Sequence, residues 1–244
     1  MMKVPQPKSG ELIDLLSGSL IQGKNLLSEF EVRRIISEAR KLPERYQGLS
    51  IEGLLMIVCD ELEQGYELLE RALTLAPSDV VSWGNFSRAV GNKAIYGKQI
   101  DILKRAIDLR APEIIKEALV VSAFWADLDL LSKAVVMARA MDLRLTGPAA
   151  AAISIYEKLI GFGDKANDIA SVARAAMFVA EKHGLPSDVS RIDSIDDGTI
   201  AFSIVLNSSD PAYLITLNNE LIDKMVEDGL ENSTCVGFFE PGGE

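Results

Sequence analysis

The sequence predicts a mainly α-helical chain, an array of stacked α-hairpins followed by a small α+β unit. Three observations carry this reading. The block Leu69-Glu70-Arg71-Ala72-Leu73-Thr74-Leu75 returns as Leu103-Lys104-Arg105-Ala106-Ile107-Asp108-Leu109 and again as Met137-Ala138-Arg139-Ala140-Met141-Asp142-Leu143, a step of 34 residues each time. A fixed period of this size marks repeated two-helix units. Apolar residues keep helical spacing from Glu11 to His183 with no convincing strand among them. Beyond Pro186 the pattern changes to β-branched runs around one further helix.

The hairpins follow in order. Residues 11–21 form a helix that Gly23 stops, and 28–42 form a second, with Ser28 and Glu31 placed as a capping box and Pro43 at its end. Helices are expected over 50–63 and 64–76, closed by Pro77. Ser78 or Asp79 starts the next, which stops at Gly91-Asn92; its partner spans 95–109 and ends at Ala111-Pro112. Residues 112–126 and 128–143 pair next, with Asp127 and Asp129 as caps at the turn. Thr146-Gly147-Pro148 opens a last pair, 149–160 and 166–182, stopped by Gly184-Leu185-Pro186. The helical repeat domain is therefore expected over 11–186.

The second unit is expected over 190–244. Residues 199–206 read as a strand, Asn207-Ser208-Ser209-Asp210-Pro211 as a turn and helix start, 212–227 as a helix and 234–239 as a strand. A β-α-β order with a helical crossover implies parallel strands. Two strands and a helix are too little to stand alone. They must pack on the helical array, recruit a strand from 188–195, or join a partner's sheet. The strand at 199–206 is a candidate edge for a second copy or a partner, and the oligomeric state is open.

With 244 residues and 48% hydrophobic content the chain can fill a core. The net charge of −11 is uneven: residues 193–244 hold eleven acids and one base, Lys224, whereas 1–192 hold 25 acids and 24 bases. Such a split suits either solubility or a basic partner. The longest apolar stretch, 118–126, is too short to span a bilayer, and the N-terminus has no signal-peptide core, so a cytoplasmic protein is expected, with no membrane partner. Cys59 and Cys235 have no metal-ligand spacing and are expected as buried thiols.

The repeat resembles the tetratricopeptide repeat. The resemblance rests on the small residues Ala72 and Ala106, the aromatic Trp83, the Phe86-Ser87 pair, the inter-repeat Pro77 and, one repeat earlier, Gly53. It covers 47–145 well and 11–183 loosely. Gly65, Gln99 and Lys133 stand where the second helix usually opens with alanine, and Val121 replaces a small residue. The 190–244 segment carries no resemblance. What the resemblance implies is a right-handed α-hairpin solenoid whose first helices line a concave inner face. It turns Arg88, Asn92, Ser122, Trp125 and Tyr156 inward as partner-binding candidates. Trp125 is either an anchor in that face or part of the core; Trp83 is core.

Residues suited to catalysis are missing. His183 is the one histidine, placed to cap a helix C-terminus, which excludes multi-histidine metal sites. There is no phosphate loop and no dinucleotide fingerprint. No catalytic residue, metal ligand or cofactor is therefore assigned. An acidic chain without a basic stripe also argues against nucleic acid. The expected function is a non-enzymatic protein–protein interaction module, an adaptor or chaperone holding a protein segment in the concave face. The alternative is a bacterial immunity protein or antitoxin that neutralises a basic toxin or nuclease through an acidic face made of Asp196, Asp197, Glu220, Asp223 and Glu227. An enzyme would need a buried, shifted carboxylate such as Asp210 or Glu220 between the helices and the sheet.

Overall fold

The structure is a computed structural model that describes residues 8–186, 189–195, 198–208 and 210–242. It divides into two compact units, Met1–Leu109 and Arg110–Glu244. Pro186 and Val189, on either side of the point where composition and charge change, both belong to the second.

The first unit holds three helix pairs: α1 (Lys8–Gln22) with α2 (Glu29–Ala39), α3 (Arg45–Val58) with α4 (Leu62–Leu75), and α5 (Val80–Asn92) with α6 (Tyr96–Ala106), which runs into a 3-10 turn at Ile107–Leu109. Neighbouring helices pack on one another, and α1 also reaches α5. The expected caps form. Ser28 accepts from the Glu31 N–H while the Glu31 carboxylate takes the Ser28 N–H, and Asp79 caps α5.

The turns inside the hairpins follow one design. After α3 and after α5, a residue in the left-handed region breaks the helix, Asp60 at φ 68° and Ala94 at φ 58°. The next N–H then bonds to a carbonyl five residues back, Glu61 to Met56 and Ile95 to Val90. Ala126 at φ 50° does the same in the second unit, with Asp127 bonded to Ser122. None of the three is glycine, so the break expected between 63 and 64 actually falls at 59–61. α5 ends at Asn92, as the Gly91-Asn92 stop implies. Gly91 lies in its last turn, where a Cβ would stand 2.5 Å from the Gln99 side chain, so the position needs glycine for that close approach. The preceding hairpin reverses the sizes at the same contact: Ile57 and Gly65 stand 34 positions before Gly91 and Gln99, and a Cβ on Gly65 would meet Ile57 Cγ1 at 2.8 Å. Thus Gly65 and Gln99, the two departures from the repeat pattern in this unit, are matched by Ile57 and Gly91 across their hairpins, a large residue facing a glycine each time.

Trp83 is 7% exposed and its Nε1 donates to the Pro77 carbonyl at 2.9 Å. The repeat's aromatic and its turn proline are therefore one contact. The Arg105 guanidinium lies 4.9 Å from the Trp83 ring centre and donates twice to Glu70, at 2.6 and 2.8 Å.

In the second unit α7 (Pro112–Phe124) and α8 (Leu128–Ala140) form a hairpin capped by Asp127, and α9 (Gly147–Gly161) packs on both. α10 (Lys165–Lys182) does not form the expected close pair with α9. It packs instead on the sheet and on α11 (Pro211–Glu227). Its alanine-rich face lets the sheet approach: a Cβ on Gly237 would meet Val172 at 2.7 Å.

The sheet has the order β1 (Val189–Ser194), β2 (Ile200–Leu206), β3 (Cys235–Pro241). β2 and β3 are parallel across α11, as the β-α-β order implies, and β1 is the recruited strand, antiparallel to β2. β2 is therefore central and almost wholly buried. It is not the free edge considered from sequence, since both its sides are hydrogen-bonded within the chain. Cys235 is buried and burial pushes its thiol up to about 12; Cys59 is half-buried, and both are free thiols.

Candidate functional site

The first helices of the three N-terminal pairs enclose a groove. α1 supplies Ser9, Gly10 and Ile13; α3 supplies Tyr46, Gln47, Ser50 and Ile51; the start of α5 supplies Asp79, Val81, Ser82 and Asn85. Its volume is about 400 Å³, within the span of small-molecule and anchor pockets. The walls mix apolar and uncharged polar groups. Val81 is 64% exposed, which is a large apolar surface for a helix that otherwise packs well. The Gln47 amide donates to the Tyr46 hydroxyl at 3.3 Å. Asp79 is committed to the Ser82 N–H as a cap.

The closing of α1 on α5 forms this groove. Gly23, at φ 62°, lets the chain leave α1 so close to α5 that a Cβ would stand 2.0 Å from the Asn92 carbonyl oxygen. The Asn92 side chain donates to the Leu20 carbonyl at 2.9 Å and completes the junction.

The residues expected to bind a partner fall in different places. Arg88 is exposed on α5, one turn beyond the groove, and donates to Asn85 at 3.0 Å. Asn92 is spent on the α1 junction. Ser122 is fully buried and its hydroxyl donates to the Ala118 carbonyl. Trp125 is 3% exposed and packs edge-on against Phe124 at 4.7 Å. These two are interior residues of the second unit, so neither offers surface to a partner; α9 packs on α7 and β1 ties to its end through the Ser190 hydroxyl on the Phe124 carbonyl. Tyr156 is half-buried on α9. Sequence reasoning missed Tyr46, Gln47, Val81 and Asn85. Val81 and Asn85 continue the Arg88–Asn92 stripe toward the helix start, and that spacing was the available signal.

On α11, Asp223 and Glu227 are exposed. Glu220 is not free: it accepts from Lys182 at 2.8 Å and lies 3.0 Å from His183 Nε2, and these partners hold its carboxyl below the ordinary 4.5. Lys224 further offsets this face, at 2.7 Å from Asp228 and 3.7 Å from Glu227. Asp196 and Asp197 lie outside the described residues. Asp210 caps α11 by accepting from the Ala212 N–H. His183 does cap α10, ahead of Gly184 at φ 59°.

Among the described residues, no group of histidine, cysteine or carboxylate side chains is placed to hold a metal, and no helix is long and apolar enough to cross a membrane. No protein-family model matches this chain, and neither a curated protein nor a solved structure matches it at a significant level.

Proposed function

We propose that the chain is a non-enzymatic protein-interaction module, an adaptor or chaperone of tetratricopeptide-like build that holds a protein segment in the face formed by the first helices of its hairpins. The observation that carries this reading is the α1–α3–α5 groove, with Val81 and Tyr46 as apolar and aromatic ground and Gln47, Ser50 and Asn85 as hydrogen-bonding groups. An extended or helical segment needs that mixture: apolar contact for affinity and a few polar groups for register. Arg88 extends the same stripe and would meet an acidic residue of the segment.

The test is a photo-crosslinking residue at Val81 in the full chain, expressed in its native cell, against the same residue at Leu75, which is 56% exposed on α4. A discrete adduct from position 81 alone supports the reading. Equal adducts from both positions, or none from 81, contradict it.

A second reading rests on α11, where Ile215, Ile222 and Val226 are more than half exposed beside Asp223 and Glu227. Such a face suits a basic partner with an apolar ridge, as an immunity protein or antitoxin would require. Its binding would weaken with salt.

A further inference from the structure

A second cleft in the first unit, between α2, α3 and α4, has a volume of about 560 Å³ and is lined by three arginines, Arg40, Arg45 and Arg71, with Gln64 and Glu52. The concentration of guanidinium groups is unusual in a chain of net charge −11. Glu52, 6% exposed, accepts from Arg40 Nε at 3.1 Å and from Arg40 Nη2. That pairing orients the Arg40 fork and uses only part of its donors. Arg45 has no hydrogen-bond or ion-pair partner among the described residues. Among the described residues Arg71 has Glu67 alone, at 3.8 Å, beyond hydrogen-bonding distance.

The repeat explains the surplus. Arg71 and Arg105 hold the same position in successive blocks. Arg105 is matched by Glu70 on the preceding second helix, through two hydrogen bonds. The residue 34 positions before Glu70 is Ile36. The acid that closes the gap between α4 and α6 therefore has no counterpart between α2 and α4, and the gap stays open and cationic.

We propose that this cleft binds a small oxyanion-bearing ligand, a phosphate ester or a polycarboxylate, between Arg40, Arg45 and Arg71. A planar guanidinium fork matches both kinds of oxyanion bidentately, and the volume lies within the range of small-ligand sites. Glu52 is a positioning residue: it holds Arg40 in place and, with that charge already paired, leaves Arg45 and Arg71 for the ligand. The site is separate from the α1–α3–α5 groove and does not depend on it.

The test is calorimetric titration of the full chain with inorganic phosphate, pyrophosphate and citrate at constant ionic strength, with chloride as the control. Saturable binding of at least one oxyanion is expected, with a Kd below about 1 mM. Arg45→Gln and Arg71→Gln should each weaken it about tenfold, with unchanged circular dichroism. Arg33→Gln, on an exposed α2 arginine paired with Glu29, should leave it intact. Preference for pyrophosphate or for citrate identifies the source of the oxyanion. No saturable heat from any of the three overturns the proposal. So does binding that survives both cleft substitutions, or that Arg33→Gln weakens equally.

Discussion

The Asn92 side-chain amide donates to the carbonyl of Leu20, 72 residues earlier, at 2.9 Å, and so holds the end of α1 on the end of α5. This bond helps to seat α1, whose first turns line the groove, against α5. Removing the amide by Asn92→Ala should cost about 1 kcal/mol, the usual worth of one such bond. Gly23→Ala should cost more. It adds roughly 1–2 kcal/mol for a left-handed non-glycine residue to a Cβ that cannot fit against the Asn92 carbonyl. Denaturant unfolding of the full chain measures both; equal stability of Gly23→Ala and wild type would contradict the close approach.

The turn after α8 carries Asp142 at φ 49°, exposed to solvent. Glycine adopts this region freely, so Asp142→Gly should stabilise the chain by about 0.5–1 kcal/mol. A rise of a few degrees in Tm is the expected readout. A fall would mean that the Asp142 side chain holds something the turn needs.

Acid should weaken the first unit through Glu70. Its carboxyl is held below the ordinary 4.5, first by the hydrogen bonds from Arg105 and then by that charge, while burial opposes. A carboxylate with a lowered folded-state pKa gives stability that is fully present above the unfolded value and is lost as pH falls through the folded one. The loss therefore falls below about pH 4.5. Glu70→Gln should remove this part of the acid sensitivity and leave stability near pH 3 closer to that of wild type than at pH 7. Parallel stability–pH curves for the two proteins would contradict it.

The sheet's edges are plugged by side chains. Asn218 on α11 donates to the Phe239 carbonyl at 3.0 Å and accepts from the Phe239 N–H at 2.7 Å, and Lys158 donates to the Ile192 carbonyl on β1. An edge strand with free backbone groups invites pairing with another chain. Asn218→Ala should cost about 1–2 kcal/mol and increase self-association, read by sedimentation at rising concentration. A monodisperse variant of unchanged stability would show that the edge needs no plug.

Hairpins, caps and the parallel strand pair were legible because each depends on local chemistry: the 34-residue block, Ser28 with Glu31, Asp127 before a helix, and β-branched runs flanking 212–227. The hairpin turns were not, since Asp60, Ala94 and Ala126 take left-handed backbone without glycine to announce it. The role of α10 was hidden for another reason. Its pattern is that of any amphipathic helix, and only the tertiary partner, Gly237 on β3, distinguishes a sheet floor from a hairpin arm. Ser122 sits 34 residues after Arg88, yet one is buried and the other exposed. Periodicity assigns the same face to both but says nothing of what covers it.

The most direct measurement is affinity capture from the native cell, at low and at high salt, with three full-length proteins: wild type, Val81→Glu, and the double variant Asp223→Asn with Glu227→Gln. The groove reading predicts one partner held by wild type and by the α11 variant in both salts, and lost with Val81→Glu. A partner kept by Val81→Glu but lost with the α11 variant, and only at low salt for wild type, would contradict it and move the function to the acidic face.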